Sequence, residues 1–193
     1  MLHLITGGSA SGKSVWGEQE ALKTGAKYRF YLATMRPWGE EGKERVRRHQ
    51  KQRAGKGFCT IEAYDHLENV SLEEEPGREE KPGREEGTRK EDRVLLLECM
   101  SNLVANEQFG EGGTDEEILG RVERGIRHLQ ACAGHVIVIT NEVFSDGTVY
   151  EEQTMRYLGL MGKANRMLAE MADRVTEVVY GIGVAVKEEH KIP

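Results

Sequence analysis

The residues with the plainest chemistry stand within the first fourteen: Gly7-Gly8-Ser9-Ala10-Ser11-Gly12-Lys13-Ser14, a Gly-x4-Gly-Lys-Ser loop. Glycines let a backbone fold around phosphate oxygens, the amides at the start of a helix supply positive potential, a lysine reaches the outer phosphates and a serine hydroxyl can ligate Mg²⁺. A site of this kind needs a carboxylate at the end of a neighbouring buried strand, and Glu98, directly after Val94-Leu95-Leu96-Leu97, fits that place. Cys99 beside it has no evident basic partner and reads as a small packing residue rather than a nucleophile. His49 lies among Arg45, Arg47, Arg48, Lys51 and Arg53. Such cations lower an imidazole pKa and keep the ring neutral and nucleophilic, and they can also hold pyrophosphate or nucleotide. The loop alone separates no kinase from an ATPase, a GTPase or a nucleotide-sensing module.

These residues need elements to place them. Leu2-His3-Leu4-Ile5-Thr6 reads as a strand feeding the loop, and Val15 to Lys23 as a helix stopped at Gly25. Tyr28 to Ala33 predicts a second strand, and Glu40 to Arg53 an exposed charged helix. Val94–Leu97 and Val136–Ile139 are continuous apolar runs suited to strands buried on both faces. Asp115 to Cys132 and Glu151 to Arg174 read as helices, the second with Leu158, Met161, Ala164, Asn165 and Leu168 along one face. A last strand is expected at Glu177–Tyr180, followed by Val184–Val186. Strands alternating with helices predict an α/β sheet, mostly parallel.

Composition sets outer bounds. A chain of 193 residues fits one domain. Its three cysteines, Cys59, Cys99 and Cys132, form no CxxC pair, which argues against a zinc site or a disulfide framework and for a reducing, cytoplasmic setting. No apolar run approaches the roughly 20 residues of a membrane span. The net charge of −6 disfavours nucleic acid as a partner, although residues 71–92 hold nine acids and five bases, and with them most of the imbalance. Pro-Gly-Arg-Glu-Glu occurs there twice, at 76–80 and 82–86, and the segment reads as a disordered acidic insertion in a surface loop.

Taken together, Thr6–Ser14, Tyr31-Leu32-Ala33-Thr34, Arg45-x3-His49-x3-Arg53, Thr60-Ile61-Glu62, Leu96-Leu97-Glu98-Cys99 with Asn106, Thr140-Asn141-Glu142-Val143, and Asn165 with Gly181-Ile182-Gly183 give the chain a likeness outside 71–92. It resembles the bifunctional adenosylcobinamide kinase / adenosylcobinamide-phosphate guanylyltransferase family of cobalamin biosynthesis. The resemblance implies a RecA-like P-loop fold, a homotrimer, and two steps: phosphorylation of adenosylcobinamide with GTP or ATP, then transfer of GMP from GTP to the resulting phosphate through a guanylyl-histidine. By the same resemblance His49 is that histidine. Nucleotide contacts fall on Gly7, Gly8, Ser9, Ala10, Ser11, Gly12, Lys13 and Ser14, on Ala33, Thr34 and Met35, on Gln50, Lys51, Gln52 and Arg53, and on Glu62 and Glu98, with Mg²⁺ on Ser14 and Glu98. The chain departs from the family pattern at Phe144–Val149, at Met155–Gly159 and at Gly39-Glu40-Glu41-Gly42. The alternative those changes leave open is a P-loop kinase of the same descent that keeps only the first step or phosphorylates another alcohol.

Overall fold

The structure, a computed structural model, describes residues 1–37, 39–40, 42, 44, 47, 55–72, 89–143, 147–148 and 150–188. Seven strands form one sheet: β1 (Leu2–Thr6), β2 (Tyr28–Ala33), β3 (Phe58–Glu62), β4 (Arg93–Glu98), β5 (His135–Ile139), β6 (Arg174–Val179) and β7 (Ile182–Lys187). Their order is β3-β2-β4-β5-β1-β6-β7, parallel throughout except for β7, which returns antiparallel to β6. The helices are α1 (Lys13–Lys23), α2 (Met100–Phe109), α3 (Asp115–Cys132) and α4 (Glu152–Met171).

The continuous apolar runs form strands because both sheet faces are covered. Pleating sends alternate residues to opposite sides: Leu95 and Leu97 pack with the buried stripes of α2, α3 and α4, whereas Val94 and Leu96 join Ile5, Ile137 and Ile139 on the side of α1. All four β4 residues are fully buried, and each contributes about 1.5–3 kcal/mol by leaving water. Helix α1 comes close to the sheet at Gly17, where an added Cβ would lie 3.0 Å from Ile139 Cδ1.

Local signals were sufficient for α3, whose start carries Thr114 and Glu117 in a reciprocal capping box. They were insufficient elsewhere. Strand β3 is a half-exposed edge strand without an apolar run. Helix α2 has no side-chain cap and is held by burial of Leu103 and Val104 and by the buried Glu107–Arg121 ion pair. Both were unanticipated. The helix expected to run to Arg174 ends at Met171, because Asp173 is locked to the start of β1. Asp173 accepts from Leu2 N at 2.5 Å and donates its own N–H to Leu2 O at 2.9 Å, so Arg174 already opens β6. Along α4 the buried stripe is Leu160, Met161, Ala164 and Leu168, with Leu158 only half-buried.

The acidic segment is shorter than its composition suggested. Leu72 is buried, and Lys90–Asp92 form a 3-10 turn whose Lys90 O accepts from Gly134 N at 2.6 Å, so both ends belong to the fold. The remainder, 73–88, lies outside the described residues. Of the expected charged helix, Glu40, Glu44 and Arg47 are helical and exposed.

Candidate nucleotide and phosphate-transfer site

Cross-strand register gathers the site. Glu62, Ala33, Glu98, Ile139 and Ile5 stand side by side in one row across β3, β2, β4, β5 and β1. Residues paired in this way point to the same sheet face, here the face that α1 covers. Ile5 is two residues ahead of the glycine loop, so the row brings two carboxylates alongside the phosphate-loop strand. Ligands of open parallel sheets bind at this carboxyl end of the strands.

The loop turns into α1 through Gly12, whose φ of +92° lies in the left-handed region that glycine tolerates. An added Cβ there would meet Gly181 Cα at 3.2 Å. That second glycine also donates its N–H to Ser11 O at 2.8 Å, so the β6–β7 turn buttresses the loop from behind. Helix α1 begins with no side-chain cap and no acid in its first turn. Its N-terminal amides and its dipole are therefore left for an external anion. Lys13 is buried at the same end and donates to Gly8 O at 2.9 Å. Burial lowers its pKa, opposed by the nearby Cys99 and Glu98.

Across the cavity Ser14 Oγ donates to Glu98 Oε1 at 2.5 Å, and Tyr31 OH donates to Glu98 Oε2 at 2.9 Å. A hydroxyl and a carboxylate are hard oxygen donors of the kind Mg²⁺ takes while phosphates and water complete its shell. Among the described residues no three His, Cys, Asp or Glu side chains form a protein-only metal cage, which accords with a metal carried in by phosphates. Ser14 and Glu98 fit that role.

The cavity holds about 400 Å³, and the expected residues Ser9, Ala10, Lys13, Ser14, Ala33, Met35, Glu62 and Glu98 line it. Gly7, Gly8, Ser11 and Gly12 form the turn that carries them. Thr34 is fully buried, and its side chain is committed to the chain beside Glu98: the hydroxyl donates to Cys99 O at 2.7 Å and accepts from Cys99 N at 2.8 Å. His49, Gln50, Lys51, Gln52 and Arg53 lie outside the described residues. Tyr31, Thr60, Ser101, Asn102 and Asn141 also line the cavity and were not anticipated as site residues. Asn141 and Glu142 follow the buried strand β5 as Glu98 ends the buried strand β4, so the rule that found one applied to the others.

Two asparagines act as posts for the loops around this cavity. Asn106 Nδ2 donates to Thr34 O at 2.8 Å and to Tyr64 O at 2.7 Å, tying the ends of β2 and β3 to α2. Asn165 accepts from Thr140 Oγ1 at 2.5 Å and donates to Asn141 O at 3.2 Å, anchoring the end of β5 to α4. Cys99 is half-buried at the cavity wall, where its sulfur contacts Ser101 Oγ at 2.9 Å.

An uncapped helix start with a buried lysine, facing a serine–carboxylate pair at the carboxyl end of a parallel sheet, defines a P-loop protein of the RecA-like type. The chain belongs to the cobinamide kinase / cobinamide phosphate guanyltransferase family, whose model matches residues 3–186. It is 30% identical over 200 residues to the bifunctional adenosylcobalamin biosynthesis protein CobU of Escherichia coli (strain K12), covering 97% of this chain and 100% of that protein. The protein of the same name from Salmonella typhimurium is 31% identical, with the same coverage. Among solved structures, an isolated ATPase domain superposes with a TM-score of 0.50 at 9% identity, covering 98% of this chain and 77% of that one, a likeness of fold alone.

Proposed function

We propose that this chain carries out both reactions of its family, phosphorylating the alcohol of adenosylcobinamide with GTP or ATP and then attaching GMP from GTP through a guanylyl-histidine at His49. The observation that carries the nucleotide chemistry is the Ser14–Glu98 contact opposite the uncapped start of α1. In the first step the acceptor oxygen attacks the γ-phosphorus, the bond to the β-bridging oxygen breaks and the nucleoside diphosphate leaves. The loop amides and Lys13 hold the phosphates through that displacement.

In the second step a neutral His49 nitrogen attacks the α-phosphorus of GTP and pyrophosphate departs. An oxygen of the acceptor phosphate then attacks the phosphorus of the adduct, the P–N bond breaks and His49 is regenerated. Gln50, Lys51, Gln52 and Arg53 are assigned to the nucleotide during this transfer. What supports His49 is the Arg45-x3-His49-x3-Arg53 spacing within a chain of this family. Mg²⁺ held by Ser14, Glu98 and phosphate oxygens supplies charge neutralisation when bound.

The reading includes a homotrimer working in the cytoplasm without a nucleic-acid partner. Three free cysteines, and no helix among the described residues long and apolar enough to cross a membrane, accord with that setting. An exposed apolar strip at the sheet edge, Tyr180, Ile182, Val184 and Val186, supports assembly. Sedimentation tests it: a monomer at micromolar concentration removes the trimer from the reading.

Incubation with α-³²P-GTP and Mg²⁺, then denaturation, tests the histidine step. Acid-labile, alkali-stable label is expected in wild type and absent from His49→Asn. Label surviving in the mutant moves the nucleophile elsewhere, and no label from protein that binds GTP and phosphorylates the acceptor leaves a kinase alone.

A further inference from the structure

Met35 and Asn102 line two cavities at once: the nucleotide cavity and a second of about 320 Å³ beyond them. One wall of the second is Met35 and Arg36, just after β2. The other is Asn102, Ala105, Asn106 and Phe109 of α2. That spacing is i, i+3, i+4, i+7, one stripe of a helix. Such a stripe ordinarily faces a core, but the core side of α2 is supplied by Leu103, Val104, Glu107 and Gln108. Phe109 is instead 59% exposed. Helix α2 therefore shows a second, partly apolar face to this hollow.

The chemistry of the hollow differs from that of the phosphate site. Met35, Ala105 and Phe109 give it apolar surface. Asn106 spends both amide hydrogens on Thr34 O and Tyr64 O, and Asn102 donates to Cys99 Sγ at 3.3 Å, so each retains a carbonyl oxygen as an acceptor. Arg36 stands at the wall, ion-paired to Asp65 and 5.6 Å over the Tyr64 ring. Apolar surface with a few fixed polar groups suits an organic ligand with amide substituents better than it suits phosphate.

In-line phosphoryl transfer requires the attacking oxygen to enter from the side opposite the leaving group. The acceptor must therefore stand in space that adjoins the nucleotide cavity without belonging to it. We propose that this second cavity is the acceptor subsite. It takes the carboxamide-fringed edge of the corrinoid, whose alcohol arm passes between Met35 and Asn102 toward the γ-phosphate. The assignment rests on the family reading above. A volume of about 320 Å³ receives an edge and its side chains, not a whole macrocycle, so the bulk of the ring stays outside.

Ala105→Trp fills the hollow from a position that touches no nucleotide-site residue named above. Equilibrium dialysis of adenosylcobinamide, followed by its visible absorbance, is expected to show binding weakened about tenfold or more, with GTP affinity and guanylyl-enzyme formation within about twofold of wild type. Phe109→Ala, at an exposed position that leaves folding intact, is expected to raise the corrinoid KM about threefold to tenfold with kcat for bound acceptor little changed. Corrinoid binding by both variants equal to wild type overturns the subsite. So does loss of GTP affinity with corrinoid binding intact, which would make the hollow a nucleobase pocket. Wild-type protein that labels with GTP but binds no corrinoid overturns the acceptor assignment in the family reading, and the subsite with it.

Discussion

Helices α1 and α3 begin in opposite ways. At α3, Thr114 N donates to Glu117 Oε2 at 2.8 Å, Thr114 Oγ1 accepts from Glu117 N at 3.3 Å, and Asp115, Glu116 and Glu117 fill the first turn with negative charge. The helix satisfies its own amides and its own dipole. At α1 the N-cap is a glycine, no side chain caps it, and the first turn carries a buried lysine in place of an acid. A helix end left unfinished in a protein able to finish another is a binding site. The stability forgone there becomes available when phosphate arrives.

The strongest way to break this contrast is to remove the cation at the open end. Lys13→Ala is expected to lower kcat/KM for nucleotide by about 10²–10³-fold, read by steady-state kinetics, with no loss of folding stability, because the lysine is buried against its own charge. A large fall in the unfolding midpoint would instead make Lys13 a structural residue and dissolve the comparison.

Acid separates the two ends next. His3, on the strand that feeds the open loop, is buried edge-on against Trp16 at 5.7 Å and paired with Thr176 Oγ1 at 2.9 Å. Burial first, then the Arg174 charge, bring its pKa down to about 4 from an unperturbed 6.5. The unfolded chain therefore binds this proton more readily than the folded one. The contribution is complete above pH 6.5 and is lost as pH falls from 6.5 toward 4, by about 3 kcal/mol in all. Asp115 at the closed end has its pKa lowered by Lys163 and Arg156, so its contribution begins to fail only below 3.8. Urea unfolding between pH 7 and 4 is expected to show a stability loss that His3→Gln flattens. Identical slopes in the two proteins would show that His3 does not titrate on unfolding.

The smallest effect sharpens the closed end. Thr114→Ala is expected to cost about 1 kcal/mol in chemical denaturation, with the Kd for GTP unchanged. A change in GTP affinity would mean that the two helix ends are coupled.

The glycine loop, Glu98 and the buried strands were legible because each is written within a few consecutive residues. Helix α3 was predicted over its whole observed span for the same reason, since its capping box and amphipathic period are local. Strand β3 and helix α2 were not, because one is a half-exposed edge and the other depends on the Glu107–Arg121 pair across 14 positions. Tyr31 was read only as a strand residue. Its hydroxyl meets Glu98 across 67 positions, a distance no spacing rule reaches.

The sequence by itself determined the phosphate loop, the alternation of strands and helices and the family, because glycine conformations, apolar runs and motif spacing are properties of neighbouring residues. The tertiary structure alone decided that Glu62, Ala33 and Glu98 share one row with the loop strand, that Thr34 turns inward, and that a second hollow adjoins the first between Met35 and Asn102. Those relations depend on register between strands far apart in the chain and on the helix face left over once the core is filled, and neither is encoded by any single segment.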